Sequence, residues 1–137
     1  MPDLSNKSRD FFYEGRAETS DMFDCVVELA CSRLPKFLQC EPSEIQVLCA
    51  MKSGLCGVEN LNKKLQELIN PSSLKKIELN FETRFFREGD KVMQTVNNYD
   101  LEWSKESGDM FEIGKGVFNG DMGRIESIDY QTGETKV

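Results

Sequence analysis

Arg87-Glu88-Gly89-Asp90-Lys91-Val92-Met93-Gln94-Thr95-Val96-Asn97-Asn98-Tyr99 and, beyond an acidic interval, Gly116-Val117-Phe118-Asn119-Gly120-Asp121-Met122-Gly123-Arg124-Ile125 decide how this chain folds. Glu88-Gly89-Asp90 is turn chemistry, because glycine enters positive φ without a Cβ clash. Lys91 to Val96 then reads as a strand, with Val92, Gln94 and Val96 on one face and Met93 and Thr95 on the other. Asn119-Gly120 is the dipeptide best suited to a tight type I′ turn. A second β run, Met122 to Tyr130, follows it, and Thr132-Gly133-Glu134 supplies a further turn.

Short strands joined by glycine turns within about fifty residues predict a small, strongly bent antiparallel barrel of the SH3 kind. The hydrophobic period switches to 2 from Ile77, and the barrel strands begin around Phe81 to Phe86. Residues 77–137 are therefore read as the barrel. Asp100 to Lys115 is an acidic insert carrying Trp103, which is expected to pack the insert against the barrel. After Val137 a barrel of this type would need at least one more strand. An exposed strand edge, open to self-association with another copy, is expected there.

Upstream, the pattern changes to β-α-β-α, a piece of α/β sheet. Asp10 to Tyr13 is a short aromatic run consistent with a buried strand. Thr19 or Ser20 can cap a helix whose stripe is Phe23, Val26, Val27, Ala30 and Leu34, with Pro35 ending it. Ile45 to Ala50 is a near-continuous apolar run, as in a parallel central strand. Val58, Leu61, Leu65, Leu68 and Ile69 form the stripe of a second helix that stops at Asn70-Pro71, with Leu61 and Leu65 in the core. Asn60 and Asn62 lie near the start of that helix, and one of them, Asn62 by preference, is expected to cap or brace the preceding loop.

The totals exclude several classes of protein. The net charge is −7, with 11 acidic and 8 basic residues in 1–70 and 13 and 9 in 71–137. That is not the basic footprint of a freestanding nucleic-acid binder. Five cysteines (25, 31, 40, 49, 56) lie in the first half, with no C-x-x-C and no histidine, so zinc-ligand spacing is missing and reduced thiols of a cytoplasmic protein are expected. No apolar run reaches the roughly 18 residues of a membrane span. There is no phosphate-binding G-x-x-x-x-G-K-[ST] loop, and the spacing of Gly114, Gly116 and Gly120 does not fit a dinucleotide fingerprint. Without histidine, Cys-His and Ser-His nucleophile pairs are ruled out. No catalytic residue, cofactor site or metal site is assigned to this segment.

The two separated motifs quoted above resemble the accessory barrel of RecD-like DNA helicases, also known as the exodeoxyribonuclease V alpha subunit. A third stretch is similar to the strand–loop–helix of that family's second RecA-like motor domain: Ile45-Gln46-Val47-Leu48-Cys49-Ala50-Met51-Lys52-Ser53-Gly54, then Gly57, Leu61-Asn62 and Leu65-Gln66. The resemblance covers roughly residues 8 to 137. It implies that residues 1–76 are part of the second motor domain and that 77–137 are its barrel insert. It also implies a parent that hydrolyses ATP with Mg2+ and moves along single-stranded DNA five-prime to three-prime, in company with the remaining helicase domains. In this family the Asn-Asn-Tyr segment lies close to the Phe-Asn-Gly turn, and the insert 100–115 departs from that pattern.

The resemblance further implies DNA contacts. Lys52, Ser53 and Gly54 sit at the carboxyl end of the apolar run, where α/β sheets place ligands, and would touch the strand's backbone. Asn97, Asn98 and Asn119 offer amides to phosphate or base edges, or alternatively satisfy turn backbone. Arg87, Lys91 and Arg124 would pair with phosphates, while Phe118 is read as barrel core. A second reading makes the barrel a protein-interaction module, with Tyr99, Trp103 and Phe118 supplying an aromatic peptide groove.

Overall fold

The computed structural model describes residues 11–81, 84–107 and 110–137, and the polar start of the chain lies outside them. The chain divides into two compact units, Met1–Pro71 and Ser72–Val137.

The first unit is helical. Helix α1 spans Thr19–Glu28, and a π turn over Leu29–Arg33 carries the chain into α2, Leu34–Leu38. The expected stop at Leu34 does not occur. Pro35 cannot donate to the carbonyl four residues back, and its ring would strike that oxygen. Widening the preceding turn removes the conflict, so the proline is passed and lies buried inside the continued helix. The helix ends at Gln39, whose φ of 55° is left-handed, and Cys40 N–H reaches back to Pro35 O at 3.1 Å. That six-to-one closure is how a helix terminates on a left-handed residue. The side chains of Thr19 and Ser20 make no cap, and Glu18 stands at the capping position with extended backbone.

Helix α3, Val58–Ile69, matches the expected span. It packs on α1 and the π turn, with Leu61, Cys25 and Ala30 buried in the contact, whereas Leu65 is only half-buried. Two expected strands are absent among the described residues, and Asp10, the first residue of one of them, lies outside these. Phe11, Phe12 and Tyr13 are exposed and irregular, and Ile45 to Ala50 has no ladder partner among the described residues. Leu48 is 89% exposed. The reason is the same in both places. An apolar run becomes a central strand only when neighbouring strands take its N–H and C=O groups.

Among the described residues of the second unit every ladder is antiparallel. Strand β1 (Glu78–Phe81) pairs with β2 (Arg84–Arg87), and β3 (Lys91–Met93) pairs with β6 (Met122–Arg124). Strand β4 (Asn98–Ser107) pairs with β5 (Met110–Val117), and β7 (Ser127–Ile128) pairs with β8 (Thr135–Lys136). The sheet therefore starts at Glu78, and the run from Met122 to Tyr130 is broken into two short strands. Among the described residues β8 has a ladder partner on one side, β7.

Arg87 to Asp90 is the knot that joins the β1–β2, β3–β6 and β7–β8 ladders. Arg87 Nε donates to Glu78 Oε1 at 2.6 Å across β1–β2. The Glu88 carboxylate accepts from Ile77 N at 3.2 Å and from Ile128 N at 3.1 Å. Gly89 N donates to Ile125 O, and Ile125 N donates to Asp90 O. Asp90 Oδ2 also accepts from Arg87 N at 2.8 Å, closing the turn. Four consecutive residues thus tie β2 to β1, to Ile125 just after β6, and to β7, and Ile125 and Ile128 are buried.

The acidic insert is the β4–β5 hairpin. Its register is irregular between Asn98 and Glu102, then regular from Glu102 opposite Lys115 to Ser107 opposite Met110. Trp103 packs across its own hairpin. Its ring lies over Gly114, where a Cβ would collide with it, and Nε1 donates to Gly116 O at 3.0 Å.

Candidate nucleic-acid interface

The alternation of β3 and β6 sorts their side chains. Val92, Gly123 and Ile125 turn inward, and Val137 packs where a Cβ on Gly123 would be. Lys91, Met93, Met122 and Arg124 turn outward and are exposed. Lys91 stands directly opposite Arg124, and Met93 opposite Met122. Ladder bonds fall at Gln94 with Asp121 and at Asp90 with Ile125. By alternation the outward pairs are the non-hydrogen-bonded ones, with Cα atoms about 4.5 Å apart. Two cationic side chains therefore leave the same face of one short ladder, next to an exposed methionine pair. The sequence reading named Lys91 and Arg124 singly and missed both their pairing and the methionines. The register that joins them depends on which strands meet.

Arg87 is placed differently from the other two cations. Its side chain is 10% exposed and is held by Glu78. It braces the corner and does not face solvent, which leaves it poorly placed for the phosphate contact expected of it. The Ser72 hydroxyl and then Arg87 hold the Glu78 carboxyl below its ordinary value.

The ladder ends in the turn Phe118–Asp121. Asp121 N donates to Phe118 O at 3.0 Å, and Gly120 has φ 101°. Asn119 is not left-handed, so this is not the type I′ turn expected from Asn-Gly. Positive φ at the third position alone is the pattern of type II. Asn97 Oδ1 accepts from Asn119 N at 2.8 Å, and Asn97 Nδ2 donates to Tyr99 Oη at 3.0 Å. Asn98 Oδ1 accepts from Asp100 N at 3.2 Å. Asn97 and Asn98 thus hold local structure at the start of β4, and the side chain of Asn119 is exposed at the turn. Phe118 is 46% exposed and not core. Its ring meets Tyr99 edge-on, with centroids 5.8 Å apart and planes at 74°.

Lys52, Ser53 and Gly54 belong to the helical unit and are exposed. Lys52 Nζ lies 3.7 Å from Glu59 Oε1. The carbonyls of Met51 and Lys52 accept the amides of Val58 and Glu59, and Gly57 N donates to Gly54 O. These bonds use the first free amides of α3, leaving the Lys52 ammonium and Ser53 hydroxyl as the loop's outward groups. Asn60 braces the loop, donating to Leu55 O at 3.1 Å, where Asn62 had been expected. Among the described residues no group of three or more Cys, Asp or Glu is placed to hold a metal, and no helix is long and apolar enough to cross a membrane.

No solved structure matches the chain. Residues 61–137, more than half of it, match a family described as the ATP-dependent RecD-like DNA helicase SH3 domain. That span takes in most of α3 and every β strand, including the Arg87–Asp90 corner and the outward cation pair. The chain therefore belongs to the RecD-like DNA helicase SH3 domain family.

Proposed function

We propose that this chain is a segment of an ATP-dependent DNA helicase of the exodeoxyribonuclease V alpha kind, moving five-prime to three-prime on DNA in the cytoplasm, and that it forms part of the wall of the single-strand channel. In this reading residues 1–76 derive from the second motor domain and 77–137 are its barrel insert. ATP and Mg2+ are bound and used by the remaining helicase domains. The observation that carries the proposal is the Lys91–Arg124 pair on an exposed ladder of a domain whose sequence matches this helicase family.

Lys91 and Arg124 leave the same face of the ladder, and each can offer a phosphate of the strand charge-assisted hydrogen bonds. Asn119 adds an amide at the end of the same ladder, and Lys52 with Ser53 is a second, separate contact on the helical unit. The acidic whole is compatible with this role, since one wall needs only a local cluster of donors.

Fluorescence anisotropy with a labelled oligothymidine at low salt tests the reading. The full chain should bind weakly and lose affinity steeply with salt. Lys91→Ala and Arg124→Ala should each lower the slope of log K against log salt by about 0.7, the single-strand value per phosphate contact. Tight binding that ignores salt, or unchanged slopes in both variants, would overturn it.

The competing reading, a peptide groove built from Tyr99, Trp103 and Phe118, has less support. The Trp103 indole is already engaged by Gly114 and Gly116 of its own hairpin.

A further inference from the structure

We infer that Tyr99 and Phe118 form a seat on which one nucleobase of the bound strand stacks, an inference that rests on the strand-binding role proposed above. Two aromatic rings at the end of the β3–β6 ladder are fixed in place while remaining open to solvent. Tyr99 is 65% exposed, yet it is held at its edge by Phe118 and at its hydroxyl by Asn97. Asn97 is itself held by Asn119 N. Phe118 is held through its own amide, which donates to Asp121 Oδ2 at 2.8 Å. Its ring also lies over Gly116, where a Cβ would come within 3.3 Å of Cζ. A ring already locked loses little further freedom when a base covers it, so stacking is favoured over what a mobile aromatic would give.

The charges around the seat select which part of a nucleotide it takes. Asp121 belongs to the same turn, and Asp100, next to Tyr99, is engaged by Lys115 at 3.3 Å. A phosphate is disfavoured beside the Asp121 carboxylate, whereas an uncharged base is not. The cations lie further along the ladder. Lys91 is three residues from Gln94, which bonds to the turn at both Gly120 and Asp121, so the cation pair is roughly 10 Å away by the rise of a strand. That is the reach of a few nucleotides, with phosphate at one end and base at the other. Stacking on an aromatic platform reads every base alike, so the seat holds the strand without choosing its sequence.

The test compares labelled ten-nucleotide oligothymidine with an abasic strand of the same length and charge, each titrated with the full chain at low salt. Base stacking on aromatics predicts that the wild type binds the thymidine strand about 5- to 150-fold more tightly. Tyr99→Ala should bring the two affinities together, and Tyr99→Phe, which keeps the ring, should retain most of the preference. Trp103 emission and far-ultraviolet circular dichroism report whether the variants fold. If Tyr99→Ala does not fold, the Tyr99 ring resonances of the wild type decide. They should move upfield with oligothymidine and stay in place with the abasic strand. Equal wild-type affinities, a preference that survives Tyr99→Ala, or unmoved ring resonances would each overturn the seat and leave strand binding intact. Binding of neither strand would remove both the seat and the role it rests on.

Discussion

Ile45–Ala50 and Met122–Ile128 read alike as β runs, and the molecule treats them in opposite ways. The second is paired along its length: β6 against β3, β7 against β8, with Ile125 and Ile128 buried between them. The first lies unpaired, with Leu48 almost wholly in solvent. What separates them is the supply of backbone partners, not side-chain hydrophobicity. The Arg87–Asp90 corner bonds directly to Ile125 and Ile128 of the second run, while β3 pairs with its first part and β8 with its last. No strand among the described residues pairs with the first, and its strand exists only as a pattern.

Amide hydrogen exchange is the strongest way to break this contrast. The N–H groups of residues 46–50 should exchange on the order of 10³-fold faster than those of Gln94, Gly120 and Ile125, which are bonded across the β3–β6 ladder. Slow exchange in 46–50 would mean that this run finds a ladder in solution, and the difference between the two regions would disappear.

A smaller effect sharpens the comparison within the β unit. Gly114→Ala puts a methyl group into the Trp103 ring, so the indole must leave the hairpin and give up its bond to Gly116 O. Overpacking of this kind costs about 1–3 kcal/mol. The expected outcome is a lower melting temperature together with a red shift of the emission from the only tryptophan. Unchanged emission would show that the indole does not cover the strand.

The smallest expected effect is on acid stability. The backbone amides of Thr132 and then Gln131 hold the Asp129 carboxyl below its ordinary 3.8, and Glu78 is held below its ordinary 4.5 by Ser72 and Arg87. Both depressed groups favour the fold above those ordinary values. Their contribution is lost as pH falls through the lower, folded-state values. Acid unfolding followed by circular dichroism should therefore show stability declining from about pH 4.5 downward. Glu78→Gln with Asp129→Asn should flatten that decline. A double variant as steep as the wild type would mean that other carboxylates govern the acid limb.

Some of the fold was legible because its signals are local. Helix α3 runs from Val58 to Ile69 as its stripe and Pro71 require, and the Thr132–Glu134 turn closes as written, with Asp129 N on Glu134 O. Pro35 misled, because a proline ends a regular helix, and a π turn is not visible in a hydrophobic pattern. The candidate site was half legible. Lys91 and Arg124 are visible as residues, but their opposition depends on register. Arg87 reads just as they do and is a buried brace. Phe118 was read as core from its apolarity, yet it stands exposed against Tyr99.

By itself the sequence determined the turns, the helix over 58–69, the β grammar after Ile77, and, through its two glycine-bearing motifs, the family. Each of these rests on backbone preferences or residue order within a few positions. Which apolar run became a strand, which arginine reached solvent and which cations came to share a face were decided only in three dimensions. Each of those outcomes depends on segments far apart in the chain supplying or withholding a hydrogen-bond partner, and no short stretch of sequence holds that information.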